Sequence, residues 1–138
     1  MNDRFQELFA ECVVAHGRFG HAAHVHLTWR LLEEYSALEA LARLEQGLRA
    51  VAQSAGQPEN YSATLMTALF LLILEQRQRG QTWEAFAAQQ PGLLDWNACA
   101  GQLGALYSAD VLHSTQARRV FMLPTLGSRQ AVSGGGEV

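Results

Sequence analysis

Cysteine is scarce in this chain. Cys12 and Cys99 are the only two in 138 residues. They stand in no CxxC or CxxH spacing, so neither a zinc motif nor a redox motif is visible. Both fall on apolar helix faces, where a free thiol packs as a small hydrophobe. Basic charge is also thin, with 10 Lys and Arg against 13 Asp and Glu, a net charge of -3 and a pI near 5.9. That balance speaks against a nucleic-acid partner, which calls for a basic stripe, and against charge-driven binding to anionic membranes. The longest apolar run, Ala68 to Leu74, falls far short of the roughly 20 residues that span a bilayer. The start of the chain, MNDRFQELFAEC, lacks the basic residues and apolar stretch of a secretion signal. A soluble, cytoplasmic protein is expected. Alternating strand patterns are nearly absent, as are internal repeats, a Gly-rich phosphate loop, a nucleophile elbow and a catalytic triad.

Helix signals fill the space that remains. Hydrophobic residues make up 49% of the chain and charged residues 17%, enough apolar surface for one domain with its own core. Asp3 can cap a first helix running to about His16, with Phe5, Leu8, Phe9 and Cys12 on one face. Gly17 and Gly20 bracket a break, and a second helix runs from about His21 to Tyr35. Ser36 and Glu39 form a capping box for a third, which Gly56 and Pro58 end. Ser62 or Asn60 can cap a fourth, running to about Arg79 and stopping at Gly80. This fourth helix carries LMTALFLLIL and is expected at the centre of the bundle. Thr82 caps a fifth that ends before Pro91, Asp95 begins a sixth reaching about Leu106, and Ser108 caps a short seventh. Ala117 to Pro124 then close the domain as an extended or helical segment. The expected fold is all-α, a compact single-domain bundle of about five to seven helices over residues 1–124. Residues 125–138, rich in Gly and Ser, are expected to form a disordered tail.

The second helix holds the most distinctive residues. At about 100° per residue, His21 and His24 share the apolar face with Val25, Thr28, Leu31, Leu32 and Tyr35. His26 falls about 140° away, with Arg30 and Glu33, and reads as solvated. His16 reads as structural or capping, and His113 as a surface residue. Two imidazoles one turn apart on a buried face are costly unless partnered. The plain explanation is a pair of core histidines, each bonded to a carbonyl or hydroxyl. The functional alternatives are a metal site and acid–base chemistry. Spacing of i, i+3 can place two ring nitrogens around one divalent metal, with a carboxylate from a facing helix. Glu75 is the candidate carboxylate, on a stripe of the fourth helix with Thr64. That stripe is either the helix's solvent edge or the lining of a pocket facing the second helix. For acid–base work, an imidazole of lowered pKa can act as a base. Tyr61, Ser62, Thr64 or Tyr107 could then orient a substrate, with Trp29, Trp96 and Phe70 as walls.

Several of these residues fall into a recognisable order. Phe19-Gly-His21-Ala-Ala-His24-Val-His-Leu-Thr-Trp29, then Tyr61-Ser-Ala-Thr64, then Tyr107-Ser108 with Ala117-Arg118, Phe121 and Pro124 resemble a family of small uncharacterised bacterial all-helical proteins. That family's pattern is F-x-H-x-x-H-L-x-x-A-W, then Y-H-x-T, then a closing Y-S…A-R-x-x-F. The resemblance spans residues 19–124 and implies a ranking of positions without a reaction: His21, His24, Trp29, Tyr61, Thr64 and Arg118 as one set. Ser62 stands where the family pattern often has a histidine. If that histidine is a third metal ligand, this chain lacks it, which favours a metal-free pocket or a diverged activity.

Together these readings point to a small enzyme with a buried histidine pair in an apolar pocket. It would act on a small organic molecule, in a biosynthetic or accessory setting, by lyase-, isomerase- or cyclase-type acid–base chemistry or with metal assistance. His21, His24 and Tyr61 are the candidate catalytic residues, Trp29, Thr64, Glu75, Trp96 and Arg118 the pocket, and His21, His24 and Glu75 the metal ligands. The second hypothesis is a non-catalytic helical module that binds a small ligand or a partner protein, as monomer or homodimer. A third is a purely structural or dimerising protein.

Overall fold

The computed structural model describes residues 3–126. Among them the regular structure is entirely helical: α1 Asp3–His16, α2 His21–Glu34, α3 Ala37–Ser54, α4 Ala63–Gln76, α5 Trp83–Gln89, α6 Pro91–Leu94, α7 Trp96–Gly104, α8 Ala109–Leu112 and α9 Thr115–Arg119. A single 3-10 turn, Pro58–Asn60, lies between α3 and α4. The nine helices among the described residues exceed the expected five to seven through two short ones, α6 and α9. Helix α5 ends before Pro91 as expected, and Pro91 then starts α6, since a proline at the first helical position gives up only an amide that has no helical partner. The tail from residue 127 onward lies outside the described residues. Its expected first two members are tied down, the Thr125 and Leu126 amides both donating to the Leu106 carbonyl.

Local chemistry explains most of the boundaries. The side chains of Ser36, Ser62, Thr82, Asp95, Ser108 and Ser114 each accept a hydrogen bond from the amide three residues on. Each thereby satisfies one of the free N–H groups at a helix start. The Ser36 half of the capping box forms, but the Glu39 carboxylate turns to Arg43. Gly17, at φ +84°, takes the left-handed backbone that lets the chain turn out of α1, and Gly80, at φ +80°, takes it in the turn that precedes α5. The fourth helix stops at Gln76, three residues short of the expected Arg79. Arg77 already has extended backbone there, and its guanidinium pairs with Glu33 of α2.

The core does not centre on α4. The hub is α2, which packs against α1, α3, α4 and α6. Its buried residues run from Ala23 and Val25 through His26, Leu27, Thr28 and Trp29 to Leu31 and Leu32, and together they lie at nearly every angle around the helix. A helix covered on all sides has no single wet face, and this displaces one expectation about its histidines. On α4, Ala63, Thr64, Met66, Ala68, Leu69, Phe70 and Ile73 are buried, whereas Leu71 and Glu75 face solvent. The α1–α3 contact is close because residue 47 is glycine. A Cβ there would come within 2.1 Å of the Phe5 ring. After α9 the chain runs extended across α4, held by the Thr64 hydroxyl. That hydroxyl donates to the Val120 carbonyl at 2.9 Å and accepts from the Met122 amide at 3.0 Å. The Tyr107 hydroxyl donates to the Met122 carbonyl at 2.7 Å.

Candidate functional site

The three histidines of α2 go to three different environments. His21 sits at the helix start, its Nε2 2.7 Å from the Leu93 carbonyl of α6. A carbonyl only accepts, so Nε2–H is the donor. The ring also lies edge-on to Trp96, with centroids 5.2 Å apart. His21 is therefore partnered as a structural histidine is, and it ties α2 to α6.

His24 is the one left open. Its Nε2 is shielded from solvent and has no hydrogen-bond partner among the described residues. Phe19 stacks near its ring, centroids 6.1 Å apart. Burial, with a smaller contribution from His21, lowers its pKa to about 4, so the imidazole is neutral at physiological pH. Thr28, below it, spends its hydroxyl on the His24 carbonyl at 2.9 Å.

His26 corrects the helical-phase reading. It is 9% exposed, not solvated. The face that carries it is covered by the end of α1 and the start of α5. Its Nδ1 lies 3.0 Å from His16 Nε2, so one ring donates to the other. Trp83 stacks on it nearly parallel, centroids 4.0 Å apart at 7°. Burial first, then His16 and Arg30, lower its pKa to about 4. His16 thus belongs with His26 and not with His21.

A cleft of about 480 Å³ opens beside His24. Its walls come from Phe19 in the α1–α2 turn, from Leu48, Val51 and Ala52 of α3 with Ala55 just past its end, and from Leu65, Met66 and Leu69 of α4. Gln57, Asn60, Tyr61 and Ser62 border it from the α3–α4 loop, and Trp96 from α7. Its size is that of a small-molecule site. Tyr61 contributes a second shielded polar atom: its hydroxyl, like His24 Nε2, has no partner. Burial raises that phenol to about 12, with Glu45 adding to the rise and Arg49 opposing it. The Arg49 guanidinium lies over the Tyr61 ring, 4.4 Å from its centroid. Ser62 is occupied, capping α4 and donating to the Ala117 carbonyl at 3.5 Å.

Of the expected site residues, the structure brings His24, Tyr61 and Trp96 to this one cleft. Trp29 is instead packed among Trp83 and Arg77, its indole N–H also shielded and unpartnered. Thr64 is consumed in holding residues 120–122, and Arg118 is half-buried on α9. Glu75 is exposed beside Leu106, Tyr107 and Phe121, and Thr64 and Glu75 do not line a pocket facing α2. Phe70 and Tyr107 are core residues. Cys12 and Cys99 are fully buried thiols, raised by burial, Cys12 to about 11. Among the described residues no three His, Cys, Asp or Glu side chains gather as a metal site. The donor set His21, His24 and Glu75 does not fit one ion, because His21 Nε2 is bonded to a carbonyl and Glu75 lies at another hollow.

Phe19, Asn60, Leu48 and Met66 line the cleft without having been singled out. Phe19 and Asn60 had a signal, since each sits in a polar or glycine-flanked connection, where binding residues concentrate. A larger hollow of about 580 Å³ lies between α1 and α3 along Phe5, Phe9 and Gly47, but none of the unpartnered buried polar atoms belongs to it. No family model, curated protein or solved structure matches the chain.

Proposed function

We propose that this protein binds a small organic molecule in the cleft beside His24, with His24 and Tyr61 as its polar anchors. One observation carries the reading: His24 and Tyr61 both line this cleft, and each has a shielded polar atom with no hydrogen-bond partner among the described residues. A buried polar group left unpaired costs about 1–3 kcal/mol. A ligand that reaches both atoms recovers that cost, whereas a purely structural core would carry leucine or phenylalanine there.

Acid–base catalysis at the same pair is the second reading. The specific observation in its favour is the pairing of a neutral imidazole with a phenol that keeps its proton. One can accept a proton and the other can donate a hydrogen bond to a developing oxyanion, as lyase, isomerase or cyclase chemistry requires. An imidazole held near 4 is a weak base, so binding is the stronger claim. No step is assigned to a metal.

Screening a fragment library by protein-observed NMR tests the proposal. Ligands should shift signals of Asn60, Leu65 and Trp96, and should bind more weakly to His24→Gln and Tyr61→Phe proteins that remain folded. Binding confined to the Phe5–Phe9–Gly47 hollow, or indifferent to both substitutions, would overturn it.

A further inference from the structure

Resting on that reading, we infer that the ligand is an uncharged molecule with an apolar ring and one hydroxyl or carbonyl oxygen. The reason is the make-up of the cleft. None of its lining residues is Asp, Glu, Lys or Arg. A charged ligand entering it would give up its hydration without meeting a counter-charge, which is the costly case of burial. Arg49, which lies over the Tyr61 ring outside the lining, is engaged with that ring and with Glu45. It is therefore already partnered and does not supply that counter-charge.

The rest of the lining specifies the shape and the polar handle. Phe19, Trp96 and Met66 contribute two aromatic rings and a thioether to the lining, groups that suit a flat apolar ring. The Tyr61 hydroxyl can donate to a carbonyl or hydroxyl oxygen, and a neutral imidazole nitrogen can complement it as donor or acceptor according to tautomer. A hydroxyl or carbonyl oxygen on the ligand meets this pair, whereas a carboxylate or ammonium would add a net charge that the walls do not balance.

Phenol and benzyl alcohol against benzoate and benzylammonium form the test, with toluene as the apolar control. Binding is followed through the Trp96 indole N–H signal and the His24 ring nitrogens at neutral pH. An Ala52→Phe protein, in which the cleft is partly filled, reports whether the signal arises there. Phenol and benzyl alcohol should bind at least about tenfold more tightly than either ion and more tightly than toluene, and Ala52→Phe should weaken them. If benzoate or benzylammonium binds in the cleft as well as phenol, the inference about charge falls while the binding reading stands. If toluene equals phenol, the polar handle falls. If none of the five perturbs the cleft of the folded wild-type protein while other fragments do, the ligand class is wrong. If no fragment of any kind does, the binding reading falls with it.

Discussion

Acid should destabilise this protein through its buried imidazoles before its carboxylates begin to protonate. His24 and His26 both fall from an ordinary 6.5 to about 4 in the fold. A depressed histidine is held neutral by the native state, so on acidification the unfolded chain takes up the proton first. Stability is fully present above about 6.5, declines as pH falls toward 4, and declines no further once the native state also protonates. The slope is about 1.4 kcal/mol per pH unit for each proton. Between neutral pH and roughly pH 5, each histidine should therefore cost up to about 2 kcal/mol, and the two up to about 4 kcal/mol. That is a large share of the 5–15 kcal/mol that typically holds a domain. The groups facing His26 are His16, Arg30, Glu84 and Glu11, and the one facing His24 is His21. Glu34, lowered from 4.5 by Arg4, contributes stability that is lost only as pH falls below that value, outside this window. Urea denaturation at a series of pH values reads the effect. His24→Gln and His26→Gln should each remove about half of the pH dependence whatever they do to stability at neutral pH. Denaturation curves that superimpose from pH 7.5 to pH 5 would refute the burial of these rings.

Three further outcomes follow from particular contacts. Thr64→Val removes the donor to Val120 and the acceptor for Met122 and should cost about 2–3 kcal/mol. Amides of residues 120–126 should then exchange faster in hydrogen-exchange measurements, with Tyr107→Phe giving a smaller effect on the same segment. Gly47→Ala drives a Cβ into the Phe5 ring and should cost about 1–3 kcal/mol by thermal denaturation, partly restored by Phe5→Leu. Asp95→Ala removes the cap on α7, whose carboxylate accepts from the Ala98 amide at 3.0 Å, and should cost about 1 kcal/mol by urea titration.

The helix starts were legible because each capping interaction is local, a side chain and an amide three residues apart. Ser36, Ser62, Thr82, Asp95 and Ser108 could all be read as caps for that reason, whereas Gly80, read as the stop of α4, lies in the following turn and α4 ends at Gln76. What the sequence hides is which helix is surrounded. A run such as LMTALFLLIL is the most apolar, yet α2, with polar residues spread around it, holds the centre. Its polar residues find partners contributed from far along the chain: His16 and Trp83 for His26, Leu93 for His21, Glu11 for Arg30. Helical phase therefore grouped His21 with His24 and set His26 apart with the charges, when burial and partners group them differently. Of the candidate site, His24, Tyr61 and Trp96 were within reach of pattern reading. For Glu75 both a solvent edge and a pocket wall stayed open, because an apolar helix with one carboxylate gives no sign of which way that carboxylate faces; the structure exposes it. No helix among the described residues is long and apolar enough to cross a membrane, as the length of the apolar run at 68–74 already indicated.

The central claim is that His24, and not His21, meets a ligand. Long-range ¹H–¹⁵N NMR of the histidine rings during a phenol titration at neutral pH tests it directly. The His24 ring nitrogens should move and saturate, while those of His21, fixed on the Leu93 carbonyl, stay in place. Movement of His21 with a silent His24, or of neither ring while phenol binds elsewhere, would contradict the account.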